Sequence, residues 1–299
     1  MADPKKMVKG NIDGDFFVDT TCINCDTCRQ LAPDCFLDDG DYSRVYRQPR
    51  SEEERRKATR ALLSCPTGSI GDRNGSALKA IIEDFPLHLD GNVYYCGFNS
   101  PRSYGGNSFL ILDKDENWMV DSPRFTRSLV KKIEKLGGLN RIFLTHEDDV
   151  ADAASFAEYF GAERIIHRAA LHAEPDAEVV LEGFDPVAIS PSFLLIPTPG
   201  HTLGHVVLLY QNKYLFSGDH LFLDRAEHTA ERRLQVHGRH CWYSYEELTD
   251  SVEKLIAYDF EWILAGHGDR GNLPKESVKA QLRELVKEMR SGRSDRHRS

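Results

Sequence analysis

Cys22, Cys25 and Cys28 form a Cys-x-x-Cys-x-x-Cys loop, and a fourth cysteine, Cys65, stands directly before Pro66. This set constrains the fold more than any hydrophobic pattern, because four thiols distant in the chain must meet around one inorganic centre. Iron–sulfur clusters are held by such sets: a tight loop gives three thiolates and a remote Cys-Pro gives the fourth. A structural zinc site is the competing reading, since four-cysteine zinc modules also use short CxxC pairs. Zinc usually takes two separated pairs, however, and here three cysteines share one loop.

The segments CINCDTCRQLAPDCF and LLSCPTGSI resemble bacterial-type ferredoxins. In two-cluster relatives a further Cys-Pro follows the loop, and here Ala32-Pro33 occupies that place. The resemblance implies one [4Fe-4S] cluster, with Cys22, Cys25, Cys28 and Cys65 as ligands, and no second cluster. Cys35, Cys96 and Cys241 are then expected as buried free thiols, because leftover cysteines in a chain of this kind pack as small apolar residues.

A chain of 299 residues exceeds one ordinary domain. The predicted division is an iron–sulfur domain over 1–75, a linker over 76–86, a larger domain over 87–272, and a C-terminal helix with a basic tail over 273–299. A net charge of −9 offers no attraction to nucleic acid or to an anionic membrane, and the basic cluster from Arg290 to Arg298 reads as a solvated end. No apolar run of about 18 residues is present and the N-terminus is polar, so a cytoplasmic or organelle-stroma location is expected.

Within the first domain, SEEERRKATRALLS reads as a helix leading into Cys65, with Ser51 and Glu54 spaced as a capping box. Past the polar run GDRNGS, strand-like segments (NVYYCGF, NSFLILD, NWMVDS, RIFLTH, RIIH, FLLIPTPGH, VVLLY, KYLFSGD, WILAGHGD) alternate with amphipathic helices such as SLVKKIEKLGG and SYEELTDSVEKLIA. The mixture predicts sheets covered by helices.

Four of those strands end alike: an apolar run, one or more small residues, then a side chain able to bind a metal. They are RIFLT before His146, FLLIPTPG before His201, KYLFSG before Asp219 and WILAG before His267. Ligands just past strand ends gather at a sheet rim. A single strand-end histidine is ordinarily a hydrogen-bonded surface or core residue, but four such sites in order ask for a common centre. Three imidazoles and a carboxylate suit zinc or iron.

The pieces NSFLI, MVDS, Thr145-His146, TPGHTLGH, FSGDHL and AGHGD resemble, in this order, the metallo-β-lactamase superfamily over roughly residues 86–272. The fold class implied is α+β with two domains, a small ferredoxin-like domain followed by an αββα sandwich whose metal site lies at the rim between its sheets. Active hydrolases of that superfamily begin the site with THxHxDH. This chain has Thr145-His146-Glu147-Asp148-Asp149-Val150-Ala151-Asp152. Without a gap, Asp148 stands for the second histidine, as a glutamate does in the similar flavodiiron proteins. With two residues missing, Asp148 and Asp149 stand for the Asp-His pair. The expected metal ligands are therefore His146, Asp148, Asp149, His201, Asp219 and His267. An oxygen-richer set favours iron or manganese relative to zinc.

His205 and His220 are expected to orient the ligands before them. The segment carrying His228, His237, His240, Trp242, Tyr243 and Tyr245 reads either as a wall of the site or as an aromatic patch packing a helix start. These features predict an oxidoreductase in which the cluster passes electrons from a donor protein or reductase to a small molecule at the rim metal. The alternatives are hydrolysis of an ester, thioester or lactone, with Asp148, Asp149 or Asp219 accepting a proton from the attacking water, and a non-catalytic redox carrier or sensor.

Overall fold

The computed structural model describes residues 2–75, 78–225 and 232–292, the Arg225 side chain excepted. His228 and the end of the basic tail lie outside them. The chain packs as two compact units, residues 1–142 with 149–163, and residues 143–148 with 164 onward.

The first unit opens with the iron–sulfur segment. The strand Phe16–Val18 pairs antiparallel with Ile70–Asp72, and a hairpin joins Phe36–Asp38 to Ser43–Val45. Phe16, Val18, Phe36, Val45, Ala58 and Ala61 bury a small core around Cys28 and Cys65. The helix Glu52–Ser64 delivers Cys65, whose amide bonds Ala61 O at 2.9 Å before Pro66 stops the helix. Half of the expected capping box forms, as Ser51 Oγ accepts from the Glu54 amide at 3.2 Å. Glu54 does not return to Ser51; its carboxylate accepts from the Arg50 amide at 2.7 Å and from Arg47 at 3.0 and 3.1 Å, a charge-assisted fork stronger than a lone amide bond.

The same unit continues through the helix Leu78–Ile82, inside the stretch expected as linker, into an antiparallel meander of Leu87–Asp90, Val93–Tyr95, Phe109–Leu112 and Asn117–Val120. Phe109, Leu110, Ile111, Trp118 and Met119 are all within 1% of full burial, so this sheet is apolar on both faces. The helix Arg127–Lys135 ends at Gly137 and Gly138, whose φ of 105° and 81° close the last turn.

In the second unit the strand order is Val187–Ala188, Phe193–Pro197, Val206–Tyr210, Tyr214–Gly218, Trp262–Ala265, Gly271–Asn272. Tyr214–Gly218 and Trp262–Ala265 run parallel, so Asp219 and His267 emerge at the same end. The helix Lys275–Arg290 lays Val278, Leu282, Leu285, Val286 and Met289, one face at helical spacing, into a core with Leu248 and Val252 of Tyr245–Lys254 and with Val207, Leu215 and Ile263 of the sheet. Phe222–Arg225 and Arg232–Gln235 pair as a hairpin, so part of the segment expected as an irregular wall or patch is strand. None of the described helices is long and apolar enough to cross a membrane.

Candidate metal centres

The first candidate centre is a concavity lined by Cys22, Cys25, Cys28, Cys65, Val18 and Ile70. The loop curls because Asn24 and Asp26 take left-handed backbone, at φ 54° and 63°, which these two residue types tolerate best. Cys28 then falls in the short helix Thr27–Leu31. Donors surround the sulfurs: the Asn24 amide lies 3.4 Å from Cys22 Sγ, the Ser69 amide 3.3 Å from Cys65 Sγ, and Thr27 Oγ1 3.4 Å from Cys25 Sγ. Burial pushes the Cys25 thiol up to about 12 and raises Cys28 as well. Such sulfurs become thiolates when a metal binds them. The donor set thus fits an iron–sulfur cluster.

Of the other cysteines, Cys35 and Cys96 are buried free thiols. Cys241 differs from expectation: it is half-buried, and its Sγ donates to Gly200 O at 3.1 Å.

The second candidate centre lies within the second unit. Ligand atoms of His146, His201 and Asp219 all fall within 4.8 Å of one another, and all three residues are buried. His201 Nε2 is 3.5 Å from Asp148 Oδ2 and 3.7 Å from Asp219 Oδ2, and His146 Nε2 is 3.8 Å from each of those oxygens. Donor atoms around a tetrahedral ion with bonds of about 2.0–2.2 Å stand roughly 3.3–3.6 Å apart, close to this spread. His146 Nε2 and both ring nitrogens of His201 are buried with no hydrogen-bond partner among the described residues. Buried ring nitrogens are ordinarily satisfied, so the residues fit a cation. Burial holds His146 down at about 4, leaving the neutral, ligating ring at ordinary pH.

His267 joins through Asp219: its amide and its Nδ1 reach Asp219 Oδ1 at 3.0 and 2.8 Å. Burial alone would raise the Asp219 carboxyl, but the His267 ring and these bonds keep it well below the carboxylate range.

Sequence reasoning missed the hydroxyls that orient these groups. Thr145 Oγ1 pairs with His146 Nδ1 at 2.9 Å, turning Nε2 toward the centre. His205 Nε2 accepts from the Asp219 amide at 3.2 Å while its Nδ1 meets Thr198 Oγ1 at 2.9 Å, so it orients Asp219, not the His201 that precedes it. Gly218 is required between them: at φ 48°, a Cβ would lie 2.6 Å from Thr145 Oγ1 and 2.7 Å from His205 Nε2. The only sequence signal was the threonine before His146 and the one three residues before His201. His220 is fully buried, its ring 5.7 Å from that of His205.

Asp149 belongs to the first unit, where its carboxylate lies against Gly106; a Cβ there would come 2.7 Å from Asp149 Oδ1. Asp152 in that unit accepts from the Phe125 amide at 2.8 Å and from Arg102 at 3.1 Å. Of the aromatic segment, Trp242 and Tyr243 hang on the backbone of a candidate ligand, their amides donating to His201 O at 2.8 and 3.1 Å. Both rings are exposed, and Trp242 lies 6.5 Å from the His201 ring. His237 stacks on Phe222 at 4.2 Å and reaches His267 O at 3.2 Å, His240 sits 5.8 Å from Trp242, and Tyr245 begins a helix.

The family model of the metallo-beta-lactamase superfamily matches residues 102–267, more than half of the chain. The chain belongs to the metallo-beta-lactamase superfamily. Residues 18–72 match the 4Fe-4S single cluster domain of ferredoxin I, so this member of the superfamily carries an iron–sulfur domain ahead of its lactamase-type domain. Among curated proteins it is similar to the hydroxyacylglutathione hydrolase of Photorhabdus laumondii, 30% identical over 118 residues covering 38% of this chain and 46% of the relative. That of Salmonella paratyphi C is 30% identical over 128 residues, 42% and 51% of the two chains. The chain spans about half the length of these relatives. Among solved structures it is similar to DIM-1 metallo-beta-lactamase exposed to ceftazidime, with a TM-score of 0.52 at 19% identity, covering 69% and 95% of the two chains. It is also similar to the peroxy diiron species of the chemotaxis sensor ODP, with a TM-score of 0.50 at 20% identity, covering 67% and 93%. At these identities the structures speak for the fold alone: α+β, with a small N-terminal domain followed by a larger lactamase-type sandwich.

Proposed function

We propose that this superfamily member is a metal-dependent oxidoreductase. Electrons from a one-electron donor protein reach a small molecule at the His146, Asp148, His201, Asp219 rim by way of one [4Fe-4S] cluster held by Cys22, Cys25, Cys28 and Cys65. The observation that carries this reading is the packing of two consecutive glycines. A Cβ on Gly105 would fall 2.8 Å from Cys25 Sγ, and one on Gly106 would fall 2.7 Å from Asp149 Oδ1. Within the first unit, one backbone turn thus packs on a cysteine of the cluster set at one residue and on the Asp149 carboxylate of the altered first motif at the next.

When bound, the cluster supplies one-electron storage and a rim metal supplies Lewis acidity. The chain's own residues do the rest. Two imidazoles and two carboxylates select a harder ion, iron or manganese before zinc. The Asp148 side chain, 49% exposed, brings protons from solvent to a substrate that gains electrons from the reduced donor, which leaves oxidised.

Anaerobic reductive titration followed by electron paramagnetic resonance tests this on iron-loaded protein. Wild type takes up more than the roughly one electron per chain that a lone cluster accepts. A His201→Ala variant takes up about one and keeps the cluster signal. Equal uptake of about one electron in both proteins contradicts the reading.

Similarity to hydroxyacylglutathione hydrolases favours a second reading, hydrolysis of a thioester with the cluster in a structural or regulatory role. Hydrolysis of a hydroxyacylglutathione that survives cluster removal and vanishes in Asp219→Ala would select it.

A further inference from the structure

Side chains from outside the iron–sulfur segment, all within the first unit, bond the Thr27 hydroxyl beside Cys25 and the backbone carbonyl of Cys65. Asn99 is fully buried; its Nδ2 donates to Gly105 O at 2.7 Å and Thr27 Oγ1 at 3.1 Å, while its Oδ1 accepts from the Tyr95 hydroxyl at 2.6 Å. Because Asn99 occupies a lone pair of the Thr27 hydroxyl, the threonine's hydrogen is left to point at Gly105 O or at Cys25 Sγ, each 3.4 Å away. At Cys65, Arg124 sends Nη2 to Leu63 O at 3.1 Å and to Cys65 O at 3.4 Å, and its own amide donates to Phe98 O at 2.9 Å. The guanidinium therefore caps the C-terminal end of the helix Glu52–Ser64 and stands as a fixed cation beside Cys65.

Four thiolates leave a four-iron cluster negatively charged, and reduction adds one more negative charge. The negative charge on Cys25 Sγ in a cluster draws the Thr27 hydrogen from Gly105 O to the sulfur, and a hydroxyl so turned stabilises the more negative state, as a fixed cation does. Arginine keeps its charge even when desolvated, so it serves here as a permanent field.

We propose that Arg124 and the Asn99-held hydroxyl of Thr27 raise the reduction potential of the cluster, so that the lactamase-type part of the chain sets the energy at which the cluster holds an electron. The inference rests on the four-cysteine site of the proposed function and not on the reaction at the rim.

The test is the midpoint potential of the cluster in anaerobic full-length protein, followed by electron paramagnetic resonance, with iron and sulfide per chain measured on the same samples. Thr27→Val and Arg124→Gln are expected to shift the midpoint to more negative values, while Thr27→Ser and Arg124→Lys stay near wild type. Midpoints equal within each pair, with cluster content intact, overturn the inference. Should Arg124→Gln fail to retain its cluster, the Thr27 pair decides, because valine keeps the side-chain shape and Asn99 Nδ2 retains Gly105 O as acceptor. Wild-type protein without sulfide would sink the four-cysteine site itself, a failure distinguishable from unchanged midpoints.

Discussion

The backbone amide of Asp219 donates to Nε2 of His205 at 3.2 Å, which fixes the His205 proton on Nδ1, toward Thr198 Oγ1 at 2.9 Å. A histidine that accepts from a ligand's amide positions the ligand and does not itself bind metal. His205→Ala leaves that buried amide without its acceptor, at a cost of about 1–3 kcal/mol. Rim-metal affinity should fall about 10–100-fold, as for other supports of a metal ligand. Chelator competition measures it, and an affinity equal to wild type would remove His205 from the scaffold.

Gly105 and Gly40 both hold positive φ, 90° and 86°, but a Cβ on Gly105 would meet Cys25 at 2.8 Å while one on Gly40 would meet nothing within 4 Å. The backbone strain of alanine is therefore similar at the two sites, about 1–2 kcal/mol. Only Gly105→Ala is expected to lower sulfide per chain. Equal sulfide in the two variants would mean that the contact with the cysteine loop is not tight.

Arg164 holds Glu178 through Nε at 3.0 Å and Nη2 at 2.6 Å, and this fork depresses the Glu178 carboxyl to about 2. A depressed carboxyl stabilises the fold above its unfolded value and loses that contribution as pH falls through the folded one. The stability gap between wild type and Glu178→Gln should thus be present above about pH 4.5 and close toward about pH 2. Since the Glu178 side chain is 40% exposed, screening leaves about 1 kcal/mol. Thermal unfolding across that window checks it; a gap that widens on acidification would contradict the pairing.

The rim residues at strand ends were legible because an apolar run, a small residue and a ligand form one local pattern at His146, His201, Asp219 and His267. The first motif was not, since two alignments of Asp148 and Asp149 satisfy the same letters. In the structure Asp148 stands beside His146 and His201, and Asp149 against Gly106. The hold of Asn99 on Thr27 in the cysteine loop and of Arg124 on Cys65 was also invisible, because the partners lie 72 and 59 residues apart and carry no periodic signal. The hairpin strand Arg232–Gln235 was hidden by its charged sequence, which reads as loop although Leu234 is buried.

One chain is expected to hold both a four-iron cluster and a separate rim metal. Anaerobic purification followed by measurement of iron, zinc, manganese and acid-labile sulfide tests it most directly. About four sulfides and four irons per chain are predicted, with one further metal that Asp219→Ala loses while the sulfide stays. Sulfide and iron that account for the cluster alone, in wild type under metal-replete conditions, would contradict it.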